Sequence, residues 1–283
     1  MSEHASPLRY PGGKARVAPF LADTIKLNDL SDGVYIEPFA GGSGAALKLL
    51  FSELVSEIHL NDKDLFVYSF WWSVLNETDA FLELLLSAKV SVNAWKKQRF
   101  IMHNPSGHST LELGFAAFFL NRCNRSGVFN AGPIGGLRQQ GTYKIDARFN
   151  KTDLQRRIQT IRLYRERIKI SRYDGIAFLQ NHFAKQTNDA QKSLVYLDPP
   201  YLVKARRLYP LYFQDKDHLR LAKYLNGAAK FRWIVSYDDV TPIRKLYSSG
   251  KRSVRKCYSL HSARVGRELL ISSKNCRLPR WQP

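Results

Sequence analysis

Short apolar runs alternate with amphipathic stretches before residue 65 and again after residue 167. Runs rich in β-branched and aromatic residues predict strands, here over 34–36, 57–62, 168–171, 193–197, 231–236, 255–259 and 268–273. Between them, apolar residues recur with a helical period over 17–27, 45–51, 175–183, 217–225 and 242–247. This alternation predicts an α/β fold with a mainly parallel sheet, whose last two strands form an antiparallel pair.

The alternation stops between residues 65 and 167. The apolar pattern there predicts helices over 65–88, 92–103 and 111–121, and a strongly basic helix over 153–167. We therefore expect residues 1–64 and 168–283 to form one discontinuous α/β domain, into which residues 65–167 insert a mainly helical subdomain.

A glycine-rich turn, EPFAGGSG over residues 37–44, follows the first predicted strand. Strand, glycine turn and helix in this order are typical of a Rossmann-like unit, where glycines let the backbone approach a cofactor. The turn has neither the G-x-G-x-x-G pattern of dinucleotide sites nor the lysine of a Walker A loop, which disfavours a nucleoside triphosphate. A second tight turn, PGGK over 11–14, precedes the first helix.

Asp62 ends the second predicted strand. It lies about twenty residues after the glycine turn, where such folds place the acid that binds ribose hydroxyls. The alternative is a helix N-cap, because a helix is predicted to begin near Asp64. Both interpretations hold if the two carboxylates divide these roles.

An Asp-Pro-Pro-Tyr elbow ends the strand predicted over 193–197. Asp198 supplies an acceptor-only carboxylate when ionised. Pro199 and Pro200 stop the strand because proline has no N–H for a sheet ladder, and Tyr201 adds an aromatic face. Acceptors beside an aromatic ring suit an exocyclic amine on a flat heterocycle. The alternative is a simple strand end with a turn.

Polar residues crowd the stretch 121–138, which continues to a Tyr-Lys pair at 143–144. Arginine and asparagine are the side chains that hydrogen-bond guanine and adenine edges, and arginine also binds phosphates. The stretch therefore predicts a loop or hairpin that contacts DNA; the alternative is a polar surface loop. The candidate contact residues are Arg122, Asn124, Arg125, Asn130 and Arg138.

The net charge of +20 and the pI near 10.0 favour a polyanionic partner over a generally basic soluble protein. No apolar run approaches the length of a membrane span, and the first residues lack the apolar core of a signal peptide. Three cysteines without metal-ligand spacing predict reduced thiols and no bound metal. We expect a cytoplasmic protein without membrane contact.

These motifs, in this order, resemble those of the DNA adenine methylase (Dam-like) family of N6-adenine DNA methyltransferases. The similarity runs over nearly the whole chain: the YPGGK segment at 10–14, the EPF loop with its glycines, Asp62, and the Asp-Pro-Pro-Tyr motif. It implies a Rossmann-like methyltransferase sheet, S-adenosylmethionine as methyl donor, and a target-recognition insertion between the second and third strands. Ser43 stands where the family often has a glycine, and the 121–138 stretch is shorter than in members that act on GATC.

Residue roles follow from the resemblance. Tyr10, Lys14, Asp62 and Asp198 are implied to bind the cofactor, Glu37, Phe39 and Gly41 to form its loop, and Asp174 to approach its adenine. The catalytic residues are implied to be Asp198, Pro199, Pro200 and Tyr201.

The predicted activity is methyl transfer to the N6 amine of an adenine flipped out of double-stranded DNA. An N4-cytosine methyltransferase presents a similar amine to a similar site, and an RNA adenine methyltransferase is a further alternative. A DNA-binding module without activity is the alternative of a different class. We expect a monomer; a partner restriction nuclease and the DNA sequence are left open by these residues.

Overall fold

The computed structural model describes residues 5–9, 16–185, 190–201, 213–247, 251–260 and 262–280. Its centre is a seven-stranded sheet in the order β3-β2-β1-β4-β5-β7-β6. The strands are β1 Val34–Glu37, β2 Glu57–Asn61, β3 Ile168–Ser171, β4 Ser193–Leu197, β5 Arg232–Asp238, β6 Lys251–Leu260 and β7 Ser262–Ser272. The first five pair in parallel, whereas β7 runs antiparallel to β5 and to β6. The mixed α/β fold and the antiparallel closing pair are as predicted.

The helices before β3 are α1 Ala18–Leu27, α2 Gly44–Phe51, α3 Leu65–Asn76, α4 Thr78–Ser87, α5 Val92–His103, α6 Thr110–Cys123 and α7 Lys151–Leu163. After β3 come α8 Gly175–Lys185, α9 Asp215–Lys223 and α10 Thr241–Leu246. The single helix predicted over 65–88 is therefore wrong. Glu77 leaves the helical region with φ −126° and ψ 42°, and the chain starts a new helix there.

Five helices, α3 to α7, lie between β2 and β3, and phenylalanine side chains of α3, α4 and α6 pack against one another. The rings of Phe70, Phe81 and Phe118 contact one another with centroids 5.4–5.9 Å apart. The break at Glu77 lets α3 and α4 both point a phenylalanine into this cluster. These helices share one continuous core with β1, β2, α1 and α2. The division of the chain into a catalytic domain and a recognition subdomain at residues 65 and 167 stays a prediction.

Two further observations concern the part of the chain that the structure describes. No helix in the described ranges combines the length and the apolarity that crossing a membrane requires. Cys123 and Cys276 are free thiols buried in the protein.

Candidate active site

The parallel strands bring the predicted acids to one edge of the sheet. Glu37 closes β1, Asp62 follows β2, Asp174 follows β3 and Asp198 follows β4. Because β3, β2, β1 and β4 are parallel neighbours, their carboxyl ends meet at this edge. A polar site of this kind is where ligands bind in open α/β sheets.

The glycine turn is fixed from two sides. The N–H of Gly41 donates to Asp62 Oδ2 at 2.9 Å, and Trp71 Nε1 of α3 donates to the carbonyl of Gly41 at 2.9 Å. Asp64, not Asp62, caps α3: its Oδ1 accepts from the N–H groups of Phe66 and Val67. The N-cap is therefore Asp64 and not Asp62. Asp62 accepts from the turn through Oδ2 and from the Asp64 N–H through Oδ1 at 3.0 Å.

Asp62 is an acid with an unusual proton affinity. Burial of its carboxyl, with the negative charge of Asp64 nearby, raises the pKa of Asp62 to about 7, although N–H groups of Gly41 and Asp64 oppose the shift. The side chain keeps partial exposure. A ligand that donates hydrogen bonds to this carboxylate would stabilise its charged form.

Glu37 is buried beneath the same turn. Tyr35 Oη donates to Glu37 Oε1 at 3.0 Å. Burial, with a contribution from the charge of Asp198, raises the pKa of Glu37 to about 8 against the opposing hydrogen bonds of Tyr35 and Ser43. Ser43 adopts the left-handed conformation, φ 44° and ψ 33°, and its hydroxyl donates to the carbonyl of Ala40 at 3.1 Å. A serine therefore stands here in the conformation that usually favours glycine.

Two aromatic rings pack against each other beside the turn. The ring of Phe39 lies so close to Gly175 that a Cβ there would come within 2.8 Å of it. Phe213 packs edge-on against Phe39 with centroids 5.5 Å apart. Asp174 caps α8 by accepting from Ile176 N–H at 3.2 Å, and it forms an ion pair with Arg220 of α9 at 2.6 Å.

Asn61 joins two of these turns, and sequence reasoning missed it. Its Nδ2 donates to the carbonyls of Pro38 and Tyr173, both at 3.0 Å, and its Oδ1 accepts from Tyr173 N–H at 2.9 Å. The side chain is fully buried. Asn61 thus holds the turn after β1 against the turn after β3.

The Asp-Pro-Pro-Tyr elbow is braced from neighbouring strands. Ser236 Oγ of β5 donates to Asp198 Oδ1 at 2.8 Å, and Tyr196 Oη donates to Ser236 Oγ at 2.9 Å. Tyr201 donates its phenolic hydrogen to the carboxylate of Glu268, a buried residue of β7. The carboxylate of Asp198 and the ring of Tyr201 are therefore each oriented by a partner that comes much later in the chain. Sequence reasoning missed both partners, because a strand pairing between β4, β5 and β7 is needed to place them.

The 121–138 stretch divides into buried and exposed polar residues. Arg122 is buried: its Nε donates to the carbonyl of Arg148 at 2.7 Å, and burial lowers the pKa of this guanidinium to about 9. Asn124 is buried as well; its Nδ2 donates to the carbonyls of Val128 and Phe129, both at 2.8 Å.

This arrangement does not support direct DNA contact by Arg122 or Asn124, because both side chains already bond the backbone of the loop and its surroundings. Arg125, Asn130 and Arg138 are exposed, as a contact surface requires. Tyr10 and Lys14 lie outside the described residues. Within the described ranges, no three His, Cys, Asp or Glu side chains cluster in a way that would hold a metal ion.

Comparison with known proteins bears on the identity of this site. A model of the D12 class N6 adenine-specific DNA methyltransferase family matches residues 10–264, and no curated protein matches the chain. The matched range contains the glycine turn, Asp62 and the Asp-Pro-Pro-Tyr elbow, and it confirms the resemblance drawn from these motifs. The chain belongs to the D12 class of N6 adenine-specific DNA methyltransferases, and it is an enzyme of adenine methylation in DNA.

Proposed function

We propose that this enzyme transfers a methyl group from S-adenosylmethionine to the N6 amine of an adenine flipped out of double-stranded DNA. The observation that carries the proposal is the braced elbow at the end of β4. There the Asp198 carboxylate is oriented by Ser236, and the Tyr201 ring is oriented by Glu268. An acceptor and an aromatic face, each fixed in direction, suit a flat base that carries an amine.

The residues at the sheet edge fit S-adenosylmethionine. Asp62 offers a carboxylate acceptor for ribose hydroxyls, and donors from a ligand would oppose the burial and the Asp64 charge that raise its pKa in the free protein. Phe39, against Gly175, offers an apolar ring for an adenine, with Asp174 beside it. When bound, the cofactor supplies a methyl group activated by its sulfonium. Tyr10 and Lys14 are proposed as further cofactor contacts.

Asp198 and a proline carbonyl are proposed to act on the adenine amine. That amine is a poor nucleophile because its lone pair is delocalised into the ring. Two acceptors that take its two hydrogens would favour a pyramidal nitrogen with its lone pair directed at the methyl group. Transfer would break the methyl–sulfur bond, leave S-adenosylhomocysteine as the thioether product, and release one amine proton to solvent. No covalent bond between enzyme and base is needed, so catalysis consists of positioning and electrostatic stabilisation.

Tyr201 is proposed to stack on the extruded base. Inside the duplex the amine is inaccessible in this geometry, and extrusion costs a few kcal/mol of unstacking and unpairing. Stacking on an aromatic side chain is worth about 1–3 kcal/mol per base and offsets much of this cost. The hydrogen bond to Glu268 would keep the ring in the stacking orientation.

Exposed Arg125, Asn130 and Arg138 are proposed to contact DNA, while Arg122 and Asn124 support the loop that carries them. The net charge of +20 supports a polyanionic partner. We further propose that residues 65–167 serve target recognition and residues 1–64 and 168–283 catalysis, and that the enzyme acts as a monomer.

The test is nucleoside analysis of DNA after reaction. Methylation-free plasmid is incubated with S-adenosylmethionine and either the wild-type enzyme or Asp198→Ala, and the hydrolysed DNA is analysed by mass spectrometry. We expect N6-methyladenine with the wild-type protein and none above background with the variant. N4-methylcytosine as the product would contradict the proposal, as would equal methylation by both proteins. Sequencing the methylated DNA then identifies the target site.

A further inference from the structure

Asn121, at the end of α6, clamps a segment that lies far from it in sequence. Its Oδ1 accepts from the N–H of Arg9 at 2.7 Å, and its Nδ2 donates to the carbonyl of the same residue at 2.7 Å. The Nδ2 also donates to the carbonyl of Gly127 at 2.9 Å, and the side chain is fully buried. One side-chain amide thus hydrogen-bonds both main-chain polar groups of Arg9 and the carbonyl of the loop beside it.

Two further contacts seat Arg9 on the same loop. The Arg9 guanidinium donates to the carbonyl of Asn124 at 3.2 Å. Gly127 has φ +72°, and a Cβ at this position would overlap the carbonyl oxygen of Arg9. The chain at Arg9 therefore lies directly against the loop over residues 124–127, with no space for a side chain at residue 127.

Because of its position in the chain, Arg9 links two segments with different proposed roles. Arg9 immediately precedes the YPGGK segment, which is proposed to bind the cofactor through Tyr10 and Lys14. Residues 124–130, on the other side of the clamp, carry exposed Arg125 and Asn130, which are proposed to contact DNA. The clamp joins the loop that meets DNA to the chain that enters the cofactor segment.

Asparagine is the residue type that this position requires. Its amide carries both a donor and an acceptor, and it can replace the hydrogen bonds that a neighbouring strand would give to Arg9. Truncation to alanine would leave the N–H and the carbonyl of Arg9 without these partners. Buried backbone groups that lose their hydrogen bonds are costly, so the segment would shift or loosen.

We propose that Asn121 is a positioning residue. It holds Arg9 against the loop over residues 124–127 and so fixes the point at which the chain enters the cofactor segment. As a result, DNA and S-adenosylmethionine bind with coupled affinities. The inference rests on the proposed function. Coupling of this kind is reciprocal: DNA bound to the loop tightens cofactor binding, and the cofactor tightens DNA binding by the same factor.

A purely structural brace is the competing explanation, and the chain offers a matched control. Asn28 is buried and clamps a distant segment in the same manner: its Nδ2 donates to the carbonyl of Arg277 at 2.7 Å and its Oδ1 accepts from Arg277 N–H at 2.9 Å. It joins the end of α1 to the segment after β7, and neither has a role in the proposed site. Asn28→Ala should lower Tm as Asn121→Ala does, but it should leave the coupling between DNA binding and cofactor binding unchanged.

The experiment measures binding of sinefungin, an analogue that cannot transfer a methyl group, by calorimetry with and without a saturating duplex that carries the mapped site. For the wild-type protein and Asn28→Ala we expect the duplex to tighten sinefungin binding by about 5–150-fold. For Asn121→Ala we expect this ratio to fall to near one. The inference is overturned by a wild-type ratio of one, or by Asn121→Ala keeping the wild-type ratio.

Two features keep the test decisive. If Asn121→Ala does not fold, Gly127→Ala displaces Arg9 from the loop side and should also abolish the ratio; a wild-type ratio in that variant contradicts the inference. A wild-type protein that binds no sinefungin, or that methylates no adenine, contradicts the proposed function instead.

Discussion

The carboxyl edge of the sheet and the 121–138 stretch both concentrate polar side chains, but they use them in opposite ways. At the sheet edge, the side chain of Asp62 remains partly exposed, and burial of its carboxyl with the charge of Asp64 nearby raises its pKa to about 7. In the 121–138 stretch, Asn121, Arg122 and Asn124 are buried and bonded to backbone carbonyls. The edge thus keeps one carboxylate, that of Asp62, partly accessible, whereas the stretch uses its first polar residues to build the loop that presents the others.

This difference separates two kinds of polar residue that look alike in a sequence. A side chain that satisfies buried backbone groups contributes to stability and position. A side chain that stays exposed, or whose pKa is shifted in the free protein, can act on a ligand. Substitutions in the two regions should therefore change different measurements.

The largest effect is expected at the elbow. Asp198→Ala removes the acceptor proposed to shape the amine, and methyl transfer should fall by roughly 10³-fold or more while DNA is still bound. Asp198→Asn should fail almost as badly, because its amide can direct a donor toward the amine. Single-turnover methylation with saturating cofactor measures both. An asparagine variant with near-normal rates would show that the negative acceptor is not needed.

Tyr201 should give the next largest effect. Tyr201→Ala loses stacking worth about 1–3 kcal/mol, and we expect methyl transfer to fall by roughly 5–150-fold. Tyr201→Phe keeps the ring and should retain much of the activity, although it removes the hydroxyl that bonds Glu268. The methyl-transfer rates of the two variants, measured side by side, show whether the ring or the hydroxyl of Tyr201 is needed. A phenylalanine variant as inactive as the alanine variant would mean that the hydroxyl, not the ring, is what matters.

Asp62 should affect the cofactor alone. Asp62→Ala removes a charge-assisted hydrogen bond worth about 1.5–3 kcal/mol, so the affinity for S-adenosylmethionine should fall by roughly 10–150-fold. DNA affinity without cofactor should change little. Calorimetry on the folded variant measures the loss; unchanged cofactor affinity would remove Asp62 from the binding site.

The pH dependence gives a control for this role. The ribose hydroxyls are proposed to bind the ionised carboxylate, whose pKa is raised to about 7 in the free protein. As the pH falls below 7, the protonated fraction grows, and cofactor affinity should fall by up to about tenfold per pH unit. Asp62→Asn should remove this dependence, because an amide does not titrate. The same slope in wild-type protein and variant would assign the dependence to another group.

The arginines of the loop should show the smallest effects. They test whether buried and exposed arginines of the 121–138 stretch have different roles. Arg125→Ala or Arg138→Ala, if the side chain meets a phosphate, should reduce the log–log salt slope of duplex binding by about 0.9. A side chain that meets a base should instead alter site preference, by about 1–3 kcal/mol. Arg122→Ala should lower Tm, because it leaves the carbonyl of Arg148 without its donor, and it should change the salt slope less than the exposed arginines.

Salt titrations and methylation-site sequencing of these three variants supply the measurements. If Arg122→Ala relaxes site preference at unchanged stability while Arg125→Ala and Arg138→Ala leave binding untouched, the assignment of buried and exposed residues is reversed.

Much of the sheet edge could be predicted from sequence, for a physical reason. Parallel strands must end at one edge, so acids such as Asp62 and Asp198 that follow predicted strands converge whatever the details of packing. Their partners could not be predicted: Ser236 and Glu268 reach Asp198 and Tyr201 only through the pairing of β5 with β4 and β7. The division of roles between Arg122 and Arg125 was also inaccessible, because both are arginines in one irregular stretch, and only the packing of α6 decides which is buried.

The break at Glu77 is a third case. Apolar residues continue through it with a helical period, so the sequence predicts one helix where two helices form. The periodicity of apolar residues carries no information about the phenylalanine cluster to which both helices contribute a side chain.

The most direct test of the account places 2-aminopurine at the target base of the mapped site and compares Asp198→Ala with Tyr201→Ala at saturating cofactor. The fluorescence of this base rises when it leaves the stack, and single-turnover methylation of the matching adenine duplex is measured in parallel. We predict that Asp198→Ala keeps the wild-type fluorescence rise but transfers no methyl group, whereas Tyr201→Ala loses a large part of the rise. Equal fluorescence in the two variants, or no rise in the wild-type enzyme, would contradict the account of an extruded adenine held by Tyr201 and acted on by Asp198.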